Sequence, residues 1–441
     1  MKRHAMNHLI EWKADPDRLP MIIKGARQVG KTWLMKEFGK SCYDSVAYIN
    51  FDKNERMQAL FSGDFSLDRI LRGLSIESEV AIDPDRTLII LDEVQEVPAA
   101  LQSLKYFAED EKYHYHILAA GSLLGLALHS GTSYPVGKVD TMELYPLSFT
   151  EFLEAIGHEA LHSLLSDNDF SMITAFKDKY IDDLKTYYYV GGMPAAVNSY
   201  ISTGDLKRVR RVHKRLLDDY EQDFSKHIPP IIVPRVRMVW EGIPSQLAKE
   251  NKKFIYSVLR EGARAKEFET AIQWLLDCGL CHKVSRVKKG GFPLKAYQDL
   301  PAFKLFMVDV GLLAAMADID AKTLLMGNDI FTEFKGALTE QYVCQQLAAE
   351  LDMKAYYWSA ETSTGEIDFL IQYAGTIIPI EAKASDNLNA KSLKTFVLKN
   401  NLSFGVRTSM SDYRDQDRLV NIPLYAISQL LRVIECRLAG K

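Results

Sequence analysis

Met21-Ile22-Ile23-Lys24-Gly25-Ala26-Arg27-Gln28-Val29-Gly30-Lys31-Thr32 reads as a short apolar strand, a glycine-rich turn and the first residues of a helix. It fulfils G-x-x-x-x-G-K-(S/T), and Trp33, Leu34, Met35 and Phe38 give the following helix an apolar face. Such a loop binds polyphosphate because the backbone N–H groups of Gly25, Ala26, Arg27, Gln28, Val29 and Gly30 point inward, while the helix N-terminus adds partial positive charge. Lys31 is expected to reach the β- and γ-phosphates and the Thr32 hydroxyl to ligate Mg2+.

Outward from this stretch, residues 3–18 predict an amphipathic helix through Ala5, Leu9, Ile10 and Trp12, and Val46–Phe51 predicts a second buried strand. Thr87-Leu-Ile-Ile-Leu-Asp-Glu-Val94 is an apolar run that stops on two adjacent acids, sixty residues beyond the loop. Burying the run brings Asp92 to the carboxyl edge of a parallel sheet, where ligands bind in open α/β folds. The pair has the form of a Walker B strand, with Asp92 holding Mg2+ and Glu93 orienting and deprotonating the attacking water. His116-Ile-Leu-Ala-Ala-Gly-Ser122 is another buried strand, after which Ser122 either senses the γ-phosphate or caps the next helix. Arg27 and Lys138 are either charge stabilisers or solvated side chains. Strands alternating with helices imply a mostly parallel sheet covered on both faces.

The 441 residues are 47% hydrophobic and 25% charged, an ordinary globular composition long enough for two or three domains. A net charge of −4 excludes a polycation, so any nucleic-acid surface has to be local. Five scattered cysteines fit reduced thiols. Cys278-Gly-Leu-Cys281 lacks the second half of a four-ligand zinc site, which favours two buried small residues at a helix-to-strand corner. The N-terminus has no signal-peptide core, and the most apolar run, Ile117 to Leu128, is shorter than a bilayer needs. A cytoplasmic protein without membrane association is expected.

Gly25–Thr32, Leu91-Asp-Glu-Val-Gln95, Ala120-Gly-Ser122 and Leu144-Tyr-Pro-Leu-Ser-Phe-Thr-Glu-Phe152 together resemble the prokaryotic ATPases that combine an AAA domain (AAA_14-like) with a DUF4143 domain. Tyr189-Val-Gly-Gly-Met-Pro-Ala195 also fits that pattern, where a glycine-rich corner leads into a helical lid. The resemblance covers essentially the whole chain and implies an architecture akin to archaeal-type and signal-transduction ATPases. It supplies architecture more securely than biological role.

Beyond the lid, Pro229, Pro230 and Pro234 mark a boundary. Helices over 233–277 followed by two strands around Lys288-Lys-Gly-Gly-Phe292 predict a winged helix. Its basic tip, with Arg264, Lys266, Arg286 and Lys295 nearby, suits either a phosphate backbone or protein docking.

In the last segment a helix from Phe331 to Leu351 carries Glu340, with Leu338, Tyr342 and Val343 on its inward side. Gly365-Glu-Ile-Asp-Phe-Leu-Ile371 then supplies Asp368, and Thr376-Ile-Ile-Pro-Ile-Glu-Ala-Lys383 supplies Glu381 and Lys383. This order has the spacing of a PD-(D/E)xK nuclease core. Glu381 and Lys383 project from one face of a strand, so Asp368, Glu381 and Glu340 can share Mg2+ or Mn2+, with Lys383 beside the nucleophilic water or scissile phosphate. Intact ligands permit metal binding without proving cleavage.

The expected architecture is α/β: a P-loop ATPase domain (1–150) of the ASCE/AAA-like kind with a parallel sheet, a helical lid (151–230), a winged-helix-like domain (231–325) and a PD-(D/E)xK nuclease-like α/β domain (326–441). The expected function is an ATP-binding, Mg2+-dependent ATPase whose nucleotide state is coupled to a nuclease-like domain that acts on or binds DNA. Its alternative is a nucleotide switch, with ATP or ADP bound, whose inactive nuclease fold holds a protein partner. Both admit an oligomer.

Overall fold

The computed structural model describes residues 1–110, 112–121, 135–167, 169–249, 252–326, 332–361, 365–386 and 388–440. They form two compact units, one of residues 2–145 and 274–280, the other of residue 1, 146–273 and 281–441.

The first unit is built on five strands, β1 (Met21–Lys24), β2 (Ser45–Asn50), β3 (Thr87–Asp92), β4 (His116–Ala120) and β5 (Asp140–Glu143). All are parallel, in the order β2-β3-β4-β1-β5. One strand therefore lies between the phosphate-loop strand β1 and the acid-bearing strand β3. Both β3 and β4 are buried along their whole length, as continuous apolar runs covered by helices on both faces require. Ile22, Ile89, Leu91 and Ile117 pack with Met57, Ile70, Leu74, Leu101, Leu104 and Phe107. Each such burial contributes about 1.5–3 kcal/mol, which fixes the sheet as a rigid base for the loops at its edge. The helix Ala5–Ala14 buries Leu9 and Trp12, whereas Ile10, expected on its apolar face, is exposed. This unit runs to Tyr145 and takes in Trp274–Leu280 from far along the chain.

The second unit contains an eight-stranded mixed sheet, β6 (Cys281–Val287), β7 (Gln298–Met307), β8 (Tyr356–Ser359), β9 (Glu366–Tyr373), β10 (Thr376–Ala382), β11 (Gly405–Ser409), β12 (Arg414–Gln416) and β13 (Leu419–Pro423). Their order is β12-β13-β11-β10-β9-β8-β6-β7. The chain on either side of residues 230 and 325 lies in this one unit. The β6–β7 hairpin is not a free wing, because β6 pairs in parallel with β8, Ser285 opposite Tyr356, and one sheet runs across the supposed boundary. Ala302–Met307 of β7 are buried on both faces, which a solvent-facing wing cannot be. The tip is also folded down: a Cβ on Gly290 would lie 2.7 Å from the Phe396 ring, and Lys289 sits over Tyr297.

The helix Thr332–Ala349 buries Leu338, Tyr342 and Val343 as expected, but Thr339, Glu340, Gln341, Gln345 and Gln346 on its other faces are buried too. Such a helix must satisfy its own polar side chains. Gln341 accepts from Met307 N and donates to Met307 O, Gln345 accepts from Val310 N, and Gln346 accepts from Phe149 N. The Gly191-Gly192 corner has a similar long-range cause. Gly191 has φ +68°, and a Cβ there would collide with Asp309 Oδ1 at 2.1 Å, so only glycine lets the buried Asp309 carboxylate accept from Gly192 N.

Candidate functional site

The turn after β1 has the geometry that anion binding needs. Gly25 (φ +137°) presses against the Leu144 carbonyl, where a Cβ would lie 2.2 Å away, and Gly30 (φ +99°) opens the helix Lys31–Cys42. The Lys31 ammonium lies across its own loop, donating to Gly25 O at 2.9 Å and Ala26 O at 2.8 Å. Thr32 Oγ1 donates to Asp92 Oδ2 at 2.7 Å, so β1 and β3 deliver the loop hydroxyl and the strand-end carboxylate to one point. A hydroxyl and a carboxylate that meet beside a lysine are the oxygen donors Mg2+ takes with a nucleotide, and this set fits.

Glu93 follows with φ +54°, unusual for a residue with a Cβ and the kind of strain found where a side chain must be aimed. Gln95 Nε2 donates to Glu93 Oε2 at 2.7 Å and holds the carboxylate. Tyr48 OH, from β2, donates to Asp92 Oδ2 at 2.9 Å, with Lys36 over its ring. Burial and the Asp92 charge push the Tyr48 phenol up to about 12, so it remains a donor. Ser122 lies outside the described residues. Arg27 is exposed, and Lys138 pairs with Glu109 at 3.1 Å. Trp274–Leu280 adds a strap: Gly279 (φ +68°) rests on the loop so closely that a Cβ would lie 3.0 Å from Ala26 N.

Burial lowers Lys31 to about 8, with Glu93 and Asp92 pulling it back. A lysine depressed from 10.5 in the folded chain carries a charge cost of about 3 kcal/mol below pH 8, which fades as pH rises toward 10.5. A bound polyphosphate reverses the sign by stabilising the ammonium. Nucleotide affinity is therefore expected to fall above pH 8, by up to about tenfold per unit, with proton uptake on binding. Calorimetry in two buffers of different ionisation enthalpy reads both, and a flat affinity through that range would exclude Lys31 as the phosphate ligand.

In the second unit, β9 and β10 form a hairpin over Ala374-Gly375, both at positive φ, with Phe369 opposite Ile380. That register sets Asp368 beside Glu381, and Ala382 N donates to Asp368 Oδ2 at 2.9 Å. Lys383 pairs with Glu381 Oε1, while Glu381 Oε2 is buried without a hydrogen-bond partner among the described residues. Glu340 acts on Asp368 through space. The four residues read from the sequence thus converge on one end of the sheet.

Two lysines that the sequence reading passed over are there as well. Lys304 of β7 is fully buried, with Nζ 3.2 Å from Glu340 Oε2 and paired to Glu366 Oε1. Lys252 Nζ is 2.5 Å from Glu340 Oε1. Burial works against the Lys304 charge, but Glu340, Glu366 and Asp368 outweigh it and hold its pKa above the usual value. Glu340 is likewise held low by Lys304 and Lys252 against its burial. Low-dielectric surroundings and the Glu340 charge push Asp368 up to about 7, opposed by the two lysines. Each Glu340 oxygen carries an ammonium, so a divalent cation at Glu340 would have to displace Lys252 and Lys304. Glu340 does not fit a divalent ion as it stands.

The AAA domain family matches residues 17–153, the family described as a domain of unknown function, DUF8612, matches 181–323, and that described as DUF4143 matches 335–427. No curated protein matches. Among solved structures, the chain is similar to the Walker-type ATPase of Pyrococcus abyssi at 14% identity and TM-score 0.46, covering 72% of this chain and 95% of that one. The Aeropyrum pernix Orc1 protein in complex with DNA matches at 11% and TM-score 0.30, with 72% and 93% covered. PCH-2 of C. elegans matches at 14% and TM-score 0.30, with 48% and 67% covered.

Proposed function

We propose, for a chain that joins an N-terminal AAA domain to a C-terminal DUF4143 domain, that Mg2+-dependent ATP hydrolysis in the first unit governs a nuclease-like fold that binds without cutting. The observation that carries the ATPase reading is the meeting of Thr32 Oγ1 and Asp92 Oδ2 at 2.7 Å under the phosphate loop. Lys31 exchanges the Gly25 and Ala26 carbonyls for phosphate oxygens. Thr32 and Asp92 would hold Mg2+, which supplies charge neutralisation on the phosphates. Glu93, aimed by its backbone and held by Gln95, takes a proton as water attacks the γ-phosphorus and the bond to the bridging oxygen of ADP breaks.

The non-cutting reading of the second unit rests on the ammonium groups at Glu340. Among the described residues no helix is long and apolar enough to cross a membrane. Purified protein is expected to hydrolyse ATP only with Mg2+ and to stop when EDTA is added. Supercoiled and linear DNA incubated with Mg2+ or Mn2+, with and without ATP, should stay intact. Metal-dependent cleavage that disappears in Asp368→Ala/Glu381→Ala would overturn the non-cutting half, and indifference to ATP in calorimetry would overturn the other.

A further inference from the structure

The helix Leu206–His227 distributes its charge in a way that folding does not account for. Its first eleven residues, Leu206–Leu216, hold Lys207, Arg208, Arg210, Arg211, Lys214 and Arg215 and no acid, while Asp218, Asp219, Glu221 and Asp223 follow in the second half. The helix macrodipole favours the opposite order, acids first and bases last, so the pattern works against helix stability. Packing needs only the other side, where Val209, His213, Leu216, Tyr220 and Phe224 are buried. Burial lowers His213 to about 3, which leaves it neutral and outside the charged face.

Lys207, Arg208, Arg211, Lys214 and Arg215 are exposed, and their spacing puts them on one sector of the helix. Arg208 reaches the capping Asp205 at 3.6 Å, and the other four make no ion pair among the described residues. Arg210 turns away to Ile319 O and the Tyr189 ring, toward Asp318 and Asp320. Five cations held side by side in a chain of net charge −4 are a local field of the opposite sign.

We infer that this face of the helix binds the phosphate backbone of duplex nucleic acid. Three of the five groups are guanidinium forks, which grip phosphate oxygens two at a time. Lys207 to Arg215 spans about 12 Å of helix, enough to meet three or four phosphates of one strand. No aromatic side chain interrupts the stripe, so the contact is to the backbone and indifferent to base sequence. None of these residues belongs to either site described above, and the inference does not depend on ATP hydrolysis.

Fluorescence anisotropy of labelled duplexes of two unrelated sequences tests it with the full chain. Both duplexes should bind alike, with log affinity falling against log salt at a slope of about −3. Arg211→Ala/Lys214→Ala/Arg215→Ala should lose at least about tenfold in affinity and about two to three units of slope. Arg211→Lys/Arg215→Lys should keep most of the binding, and ATP turnover should be unchanged in both variants. No duplex binding, binding equal in the triple variant, or capture only of an acidic polypeptide or anionic vesicles would each overturn the inference.

Discussion

Glu93→Gln is expected to bind Mg-ATP within a few-fold of the parent chain and to lose turnover by about 10^2–10^4, the usual worth of a positioned general base. The amide keeps the size and the Gln95 contact but cannot take the proton from water. The neighbouring substitution separates binding from chemistry. In Lys31→Ala the loop retains its inward amides yet loses the single ammonium that crosses it, and calorimetry should detect no nucleotide. Parallel calorimetry and phosphate-release assays check both. A Glu93→Gln protein that turned over at the parent rate would assign the base elsewhere, whereas Lys31→Ala reports on the loop alone.

Lys304→Met should be the most destabilising change in the second unit. It leaves Glu340 and Glu366 with one ammonium fewer in a region closed to solvent, and such a broken pair typically costs about 3–5 kcal/mol. Urea denaturation measures the loss. Mn2+ should then return part of the stability to the variant and none to the parent, because removing the lysine creates the demand for a cation that the lysine had met. A loss below about 1 kcal/mol would mean that the network contributes no more than exposed pairs do. No effect of Mn2+ on a clearly destabilised variant would mean that the acids lack the geometry to ligate.

The parts of this molecule legible in sequence were those whose signal is local. The phosphate loop follows from glycines at positive φ between a strand and a helix. β3 and β4 follow from apolar runs, and the convergence of Thr32 with Asp92 follows from placing both at one sheet edge. Tyr48 and Gln95 were missed because nothing in their immediate neighbours marks them, since their partners are set by strand register and a turn. Lys304 left a clue, a lone cation inside Ala302-Phe-Lys-Leu-Phe-Met307, an inward strand position that only a buried acid can satisfy. The Gly191-Gly192 motif was readable as a corner, but its reason, Asp309, lies 117 residues away. The supposed wing had the right local order of helices and strands, and lateral pairing to β8 overrode it.

The strap at Gly279 bears on how the chain is made. The nucleotide-binding unit draws its final seven residues, Trp274–Leu280, from beyond the middle of the sequence. During synthesis the nascent N-terminal sheet therefore waits, with its phosphate loop lacking a backbone neighbour, until residue 280 clears the ribosome. A fragment stopped at Tyr145 would stay in that unfinished condition permanently.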